Sequence, residues 1–370
     1  MKIMVFDVPA QNSGALTILK DFFIYVSSRQ YDDIKWIFIV STDILDCQNC
    51  DNRIKIKKYP LIKKGWLYRI FFEIFKAPLI VKRYAPDVIL SLQNTAILMT
   101  NIPQILYVHQ AIPYSVKKFS FIKKDEQALA LYSFIFRYLI GFSIKKASTT
   151  IVQTKWLRDA IIKSHNVDGS KIVVLPPTIN FNDTEGSNEG KRSHKFFYPC
   201  TPFVYKNINI ILDAVEKFKA CESCPEILLT INGRENPYAK KIKKSVVKRG
   251  LSNMIIFIGR ISREKVLSLY SISTLLFPSW LESYGLPLLE AKLMNSKIIC
   301  ADTPFAKEIL CSYDKVVYHG VENADELYQE MKKAIEVDSG NSEFVLKRSR
   351  AMKEENNWEK LINLSKSVMQ

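Results

Sequence analysis

The chain has 370 residues, of which 48% are apolar and 24% charged, and its formal net charge is +16. That length favours two domains of ordinary size, and the composition is that of an ordinary globular protein, which excludes a disordered chain. The positive balance points to an anionic partner without choosing among nucleic acid, an acidic lipid surface and a phosphorylated substrate.

In chain order, KIMVFDV at the start reads as a buried strand, since it has neither the basic stretch nor the cleavage site of a secretory signal. The expectation is a cytoplasmic protein. A helix over Leu16 to Ser28 and the strand KWIFIV follow. From Arg53 to Arg83 basic residues mingle with Trp66, Tyr68, Phe71, Phe72 and Phe75, and Glu73 is the only acid. Such a segment fits an anionic membrane surface, where rings enter the interface and lysines meet headgroups. A core helix with a solvated basic face, or a single-stranded nucleic-acid site, is the competing reading. VKKFSFIKK, residues 116–124, forms a second basic patch.

DVILSL, QILYVHQ, STTIVQT and KIVVLPPTIN continue the alternation. Between the second and third of these, the apolar run Ala128 to Ile144 is broken by Arg137 and is shorter than the roughly 20 residues that cross a bilayer, so no membrane span is expected. Strands alternating with helices predict βαβ units and a doubly wound parallel sheet. The first domain is placed at 1–180, followed by a polar, aperiodic linker at 181–195. HKFFYPC, EILLTING, MIIFIGR, TLLFPS and KIICAD alternate with helical patterns and make a second doubly wound domain over 196–350. The tail 351–370 reads as a helix with Trp358 on an apolar face, packing across the lobes.

Cys47-x-x-Cys50 and Cys221-x-x-Cys224 lie too far apart for a zinc ribbon, and the four histidines form no ligand-spaced cluster, so no metal and no cofactor is expected. The 12 glycines form neither G-x-G-x-x-G nor a phosphate loop, which sets aside dehydrogenases and phosphate-loop NTPases.

The chemistry concentrates in Glu282-Ser-Tyr-Gly-Leu-Pro-Leu-Leu-Glu290. Pro287 suits a first helical turn and Ser283 can cap it, so a helix is expected to begin near Gly285, with Glu282 just outside and Glu290 on its early turns. Free amides there, reinforced by the helix dipole, suit a diphosphate. A carboxylate only accepts, so each one can grip a pair of sugar hydroxyls. The spacing fits a ligand with sugars on both sides of a diphosphate; the competing reading is a capped helix with two solvated acids.

LLFPSWLESYGLPLLEAKLMNSKIICADTPFAKEI resembles the signature of the large retaining GT-B glycosyltransferase family whose acid motif is Glu, seven residues, Glu. FFYPCTPFVYKNINIILDAV is similar to the first segment of that family's second lobe. NMIIFIGRISREKVLSLYSISTLLFPS and IVQTKWLRDAI with KIVVLPPTIN match in order and spacing. The resemblance covers about Ser148 to Leu310 well and the first 110 residues in outline.

It implies a GT-B fold, two Rossmann-like domains facing across a cleft, with a nucleotide diphosphate sugar held mainly by the second, no metal, and retention of anomeric configuration. By motif position Glu290 would hold the ribose hydroxyls, Glu282 would touch the transferred sugar, and the amides of Ser283, Tyr284, Gly285 and Leu286 would meet the phosphates. Lys206 would neutralise the leaving diphosphate. Relatives often carry an arginine shortly before that lysine; here Cys200 and Thr201 occupy the place, leaving Arg234 or Arg260 to supply a second charge. His109 would contact the transferred sugar. Gly14, in NSGALTIL, would let the backbone approach the donor or acceptor, although relatives often show two glycines. Asn295 stands where Gly is usual, and Asn also tolerates the left-handed conformation.

The expected function is hexose transfer from a nucleotide sugar to a saccharide acceptor, lipid-linked, in bacterial-type surface polysaccharide synthesis (capsule or lipopolysaccharide). The protein would lie peripherally on the inner face of the membrane, bound to its anionic surface, with no nucleic-acid partner. The rivals are a GT-B sugar-nucleotide epimerase and a non-catalytic membrane or nucleic-acid binding protein.

Overall fold

The computed structural model describes residues 1–10, 13–29, 31–43, 45, 52–177, 195–221, 224–339 and 357–369. The chain divides into two compact units. One comprises Met1–Tyr114, Ser133–Ile179 and Glu355–Gln370; the other comprises Ser115–Tyr132 and Asn180–Glu354.

The elements of the first half are β1 (Lys2–Asp7), α1 (Ser13–Ser28), β2 (Lys35–Val40), β3 (Ile54–Lys58), α2 (Trp66–Phe71), a π turn (Phe72–Lys76) running into α3 (Ala77–Tyr84), β4 (Val88–Ser91), β5 (Gln104–Val108), α4 (Gln127–Lys146), β6 (Thr149–Val152), α5 (Lys155–His165) and β7 (Ile172–Val174). Seven parallel strands lie in the order β3-β2-β1-β4-β5-β6-β7. The central strands read as continuous apolar runs because both faces are covered. Side chains alternate across the sheet, so Ile3 and Val5 join the core under α1, while Met4 and Phe6 join the core under α3.

The second unit runs β8 (Lys195–Tyr198), α6 (Ile208–Glu216), β9 (Glu226–Leu229), α7 (Pro237–Lys248), β10 (Ile255–Phe257), α8 (Arg263–Ile272), β11 (Thr274–Phe277), α9 (Leu286–Leu293), β12 (Ile298–Ala301), α10 (Pro304–Ile309), β13 (Val316–His319) and α11 (Ala324–Ser339). Its six parallel strands lie in the order β10-β9-β8-β11-β12-β13. The last helix, α12 (Asn357–Ser367), returns to the first unit. There Trp358, Leu361 and Ile362 complete the core that includes Phe22 and Trp36, with the Phe22 and Trp358 rings 5.1 Å apart.

Two doubly wound parallel sheets are present, as the alternation of strands and helices predicts. Several particulars differ from expectation. The basic stretch after Arg53 is not one amphipathic helix: Ile54–Lys58 is an edge strand, and a 3-10 turn, α2, the π turn and α3 follow. An edge strand needs only one partner and tolerates lysines, so IKIKK carries no apolar run to reveal it. β13, one of the two edges of the other sheet, was also unread for its half-exposed pattern. Residues 115–132, assigned from sequence to the first domain, group with the second unit; 355–370, read as a tail packing across the lobes, group with the first.

The apolar run at 128–144 lies in a 20-residue helix, α4, long and apolar enough to cross a membrane by length and composition. The helix exceeds the apolar run because polar residues at each end extend it. The expected linker, apart from Lys195 in β8, lies outside the described residues, as do Cys47, Cys50 and the tail up to residue 356.

Candidate functional site

In the second sheet β8 has β9 and β10 on one side and β11 to β13 on the other, so the order reverses between β8 and β11. The crevice outside the carboxyl ends of the strands at such a reversal is where open parallel sheets bind ligands. The residues that follow β8 and β11 carry the motifs.

Lys206 ends the turn Val204–Lys206, and its carbonyl accepts from the Tyr198 hydroxyl at 2.9 Å. Asn207 then reverses the chain into α6 with φ 54°, a left-handed conformation that Asn tolerates. The loop after β11 is tied to this turn: Trp280 N donates to Tyr205 O at 3.0 Å, and the buried Ser279 hydroxyl lies 3.2 Å from Tyr205 O and 2.8 Å from Glu282 Oε1. That loop delivers Glu282 to an ion pair with Lys206, the two side chains being 15% and 12% exposed. Partial exclusion of water strengthens such a pair. Trp280, beside it, stacks on Phe119 at 5.6 Å, and Lys117 lies 5.3 Å over its ring while pairing with Glu322 at 2.5 Å. Part of the basic patch at 116–124 is thereby engaged within the second unit.

α9 opens at Gly285, whose φ of 94° suits glycine, and Pro287 sits in its first turn. The N-cap position is held by Gly285, which has no side chain to offer, and not by Ser283 as expected. A Cβ at residue 285 would meet Leu288, Ile309 and Phe305 at 3.4 to 3.6 Å. Leu286 begins the helix and Tyr284 is buried, which places the backbone of 283–286 at the positive end of the α9 dipole.

Glu290 lies one turn on, buried, with Arg263 Nη1 at 2.9 Å from Oε1 and the Tyr270 hydroxyl donating to Oε2 at 3.1 Å. Burial raises the Glu290 pKa, and Arg263 and then Tyr270 oppose the rise. Arg263 is the first residue of α8 and Tyr270 stands two turns later on the same helix, so α8 offers both partners from one face. Neither was anticipated. The only sequence signal is their spacing, which acquires meaning once α8 and α9 are packed together.

Arg234 and Arg260 are exposed in the loops after β9 and β10, on the same carboxyl edge as Lys206. Among the described ion pairs neither reaches Lys206 or Glu282; the arginine that contacts a motif glutamate is Arg263. Burial pushes the Cys200 thiol up to about 12, with Lys206 lowering and Glu282 raising it, so the place where relatives carry an arginine holds a neutral thiol within electrostatic range of the pair.

In the first unit His109 directly follows β5. Its backbone N–H donates to Asn94 Oδ1 at 2.8 Å, and its Nε2 lies 2.9 Å from Asn94 Nδ2 and 3.1 Å from Leu92 O. Burial lowers its pKa to about 4, so the ring is neutral at neutral pH. Gly14 lies in the first turn of α1. The order of this sheet reverses between β1 and β4, where Asp7 ends β1 and Gln93 follows β4. Asp7 Oδ2 and both Gln93 amide atoms are buried without a hydrogen-bond partner, and burial holds the Asp7 pKa well above the carboxylate range. These two polar residues were not anticipated; the signal for Asp7 is an acid closing an apolar strand. Among the described residues no group of three His, Cys, Asp or Glu side chains is arranged to hold a metal ion.

Residues 183–357 match the family model described as glycosyl transferases group 1, and residues 37–183 match that described as glycosyltransferase family 4, so the two together span the motif loops of the second unit and most of the first. The chain belongs to the GT-B glycosyltransferases. Within that family it is 29% identical over 176 residues to the O-antigen chain mannosyltransferase RfbU of Salmonella typhimurium, a match covering 47% of this chain and 48% of that protein. The match thus spans about half the length of that curated relative. HepE from Anabaena, solved with UDP and glucose, superposes with a TM-score of 0.67 at 16% identity, over 91% of this chain and 90% of its own. WaaG, a glycosyltransferase involved in lipopolysaccharide biosynthesis, superposes with a TM-score of 0.68 at 13% identity over 99% of each chain. At these identities the structures establish the fold of this GT-B glycosyltransferase.

Proposed function

We propose that this GT-B glycosyltransferase transfers a hexose from a nucleotide diphosphate sugar to a saccharide acceptor, lipid-linked, in surface polysaccharide synthesis of the O-antigen or lipopolysaccharide type, with retention of configuration and without a metal. The observation that carries the reading is the meeting of Lys206 and Glu282 at the switch point of the second sheet, beside the start of α9 and one helical turn from Glu290. The UDP and glucose held by HepE and the polysaccharide roles in the names of RfbU and WaaG support it.

On this reading the diphosphate occupies the N-terminus of α9, where amides of 283–286 and the dipole favour negative charge. It takes Lys206 from Glu282, which frees the Glu282 carboxylate for hydroxyls of the sugar. Arg263 and Tyr270 use one lone pair on each Glu290 oxygen, so the carboxylate stays oriented and keeps acceptor capacity for the ribose hydroxyls. As the glycosidic bond breaks, its electron pair goes to the leaving diphosphate, and Lys206 stabilises the charge that develops there. The acceptor hydroxyl attacks on the same face and loses its proton to a leaving phosphate oxygen. Arg234 or Arg260, in the loops on the carboxyl edge of the same sheet, adds charge at the phosphates.

The test is nucleotide release from UDP-, GDP- and dTDP-sugars with and without a saccharide acceptor, repeated with chelator, with the product's anomeric configuration read by NMR. Release that requires acceptor supports transfer, whereas conversion of the sugar nucleotide without acceptor identifies an epimerase. Donor at about 100 times its Kd is expected to stabilise the wild type by about 2.7 kcal/mol. Glu290→Ala should abolish that thermal shift, and an unchanged shift together with unchanged transfer would sink the reading.

A further inference from the structure

We propose that the outward faces of α2–α3 and α4 form one docking surface for an anionic lipid bilayer, with α4 lying along the headgroup plane and not crossing it. The surface stands on the first unit alone; it rests on the proposed function only for the lipid-linked acceptor it would bring to the enzyme.

The connections β3 to β4 and β5 to β6 step across the sheet in the same direction, so right-handed crossovers put α2–α3 and α4 on the same face. The Arg69 guanidinium of α2, 5.2 Å over the Phe136 ring of α4, shows that they adjoin. Each helix has an inward anchor: Phe72, Ala77 and Ile80 from the first, and Phe136, Ile140 and Ile144 from the second, are all buried. Their outward faces are apolar as well. Phe71, Phe75 and Leu79, with Phe134, Tyr138 and Phe142 on α4, are between 51% and 67% exposed. The positions recur at intervals of four, so each set forms a stripe, with Phe71 and Phe75 at 5.3 Å and Phe134 and Tyr138 at 5.4 Å. Single exposed apolar residues are ordinary; two apolar stripes on adjoining helices mark an interaction site.

Charge selects the occupant. Lys76, Lys82 and Arg83 flank the first stripe, and Arg137, Lys145 and Lys146 flank the second, all exposed. α4 contains no acid, and Glu73, the acid on α2–α3, is taken up by Arg69 at 2.8 Å. A second copy docking the same face would bring like charge against like, whereas anionic headgroups complement it. Rings entering the acyl boundary with lysines at the phosphates describe an interfacial amphipathic helix. Crossing is opposed by the anchors: α4 is long enough to span, but its Phe136, Ile140 and Ile144 are seated in the protein core.

The test is co-sedimentation of the purified full chain with vesicles of phosphatidylcholine containing phosphatidylglycerol, against phosphatidylcholine alone. Binding to the anionic vesicles that falls with added salt is expected. The Phe134→Ser, Tyr138→Ser, Phe142→Ser triple variant and the Lys145→Glu, Lys146→Glu double variant should each weaken it by about tenfold or more. Both should keep the wild-type thermal shift with nucleoside diphosphate, which also shows that they fold. Wild type that ignores anionic vesicles, or variants that bind as wild type does, would overturn the proposal. So would a dimer in sedimentation velocity that the triple variant dissociates while vesicles capture nothing, because the occupant would then be a second copy. Alkaline carbonate should strip the bound chain from vesicles, and retention would overturn the flat orientation of α4. If instead no nucleoside diphosphate shifts the wild type while vesicle binding persists, the donor reading fails and this one stands.

Discussion

Glu290 shows what a motif residue needs from its neighbours. A buried carboxylate is costly unless paired, and here an arginine and a tyrosine two turns apart on α8 hold it. Arg263→Ala leaves Tyr270 alone and should cost the second unit about 1 to 3 kcal/mol. A glutamate whose folded pKa lies above its unfolded value is best tolerated at low pH and loses stability as pH climbs through the folded value, so the loss should be larger near pH 8 than near pH 5. Thermal melts of both proteins at the two pH values check this, and equal losses would remove Arg263 from its part in keeping Glu290 ionised. His109 runs the other way. Its folded pKa of about 4 lies below the free value of about 6.5, so the unfolded chain binds the extra proton and stability falls as pH drops between those limits. His109→Gln should flatten that stretch of the melting-temperature profile, and an unaltered slope would show that the ring is not held neutral. At this scale the sequence brought Glu282, Glu290 and Lys206 forward, the carboxylates by their offsets from a helix start and the lysine by the family resemblance, and the structure sets Lys206 beside Glu282. Arg263, Tyr270 and Ser279 were not legible in it, since nothing local distinguishes them from surface or core residues.

Among elements, strands with two buried faces were read from their composition, as were the apolar edge strands β7 and β10, whereas the edge strands β3 and β13 were not. IKIKK at β3 carries three lysines in five residues because one side of it has no strand to meet, and VVYH at β13 is partly exposed for the same reason. Turn chemistry was more readable. Asn295 adopts φ 55° at the end of α9, as expected of an asparagine in a place usual for glycine. The start of α9 was placed correctly although its cap was not: Gly285, and not Ser283, occupies the N-cap position. Gly285→Ala must adopt φ near 94° with its Cβ against Leu288, Phe305 and Ile309. It should cost about 1 to 2 kcal/mol, measured by denaturant unfolding. A neutral result would mean that the loop opens differently from the conformation described.

At the largest scale the described residues form two sheets in two compact units, and α12 belongs to the first although it follows every element of the second. Trp358→Ala should remove about 3 to 5 kcal/mol from that unit. Calorimetry is the suitable measurement, because a chain with two cores need not unfold in one step. The variant should lower one transition, and a nucleoside diphosphate should raise another; a single transition moved by both would refute separate units. Sequence alone determined the alternation of strand and helix, the parallel doubly wound class and the start of α9, because these follow from periodicity and turn chemistry within a few residues. Only the tertiary structure decided that Lys206 meets Glu282 from 76 positions away, that α8 steadies Glu290, that Trp358 packs on Phe22, and that residues 115–132 group with the second unit. Those pairings depend on which faces are buried together, and burial is a property of the assembled layers and not of any one segment.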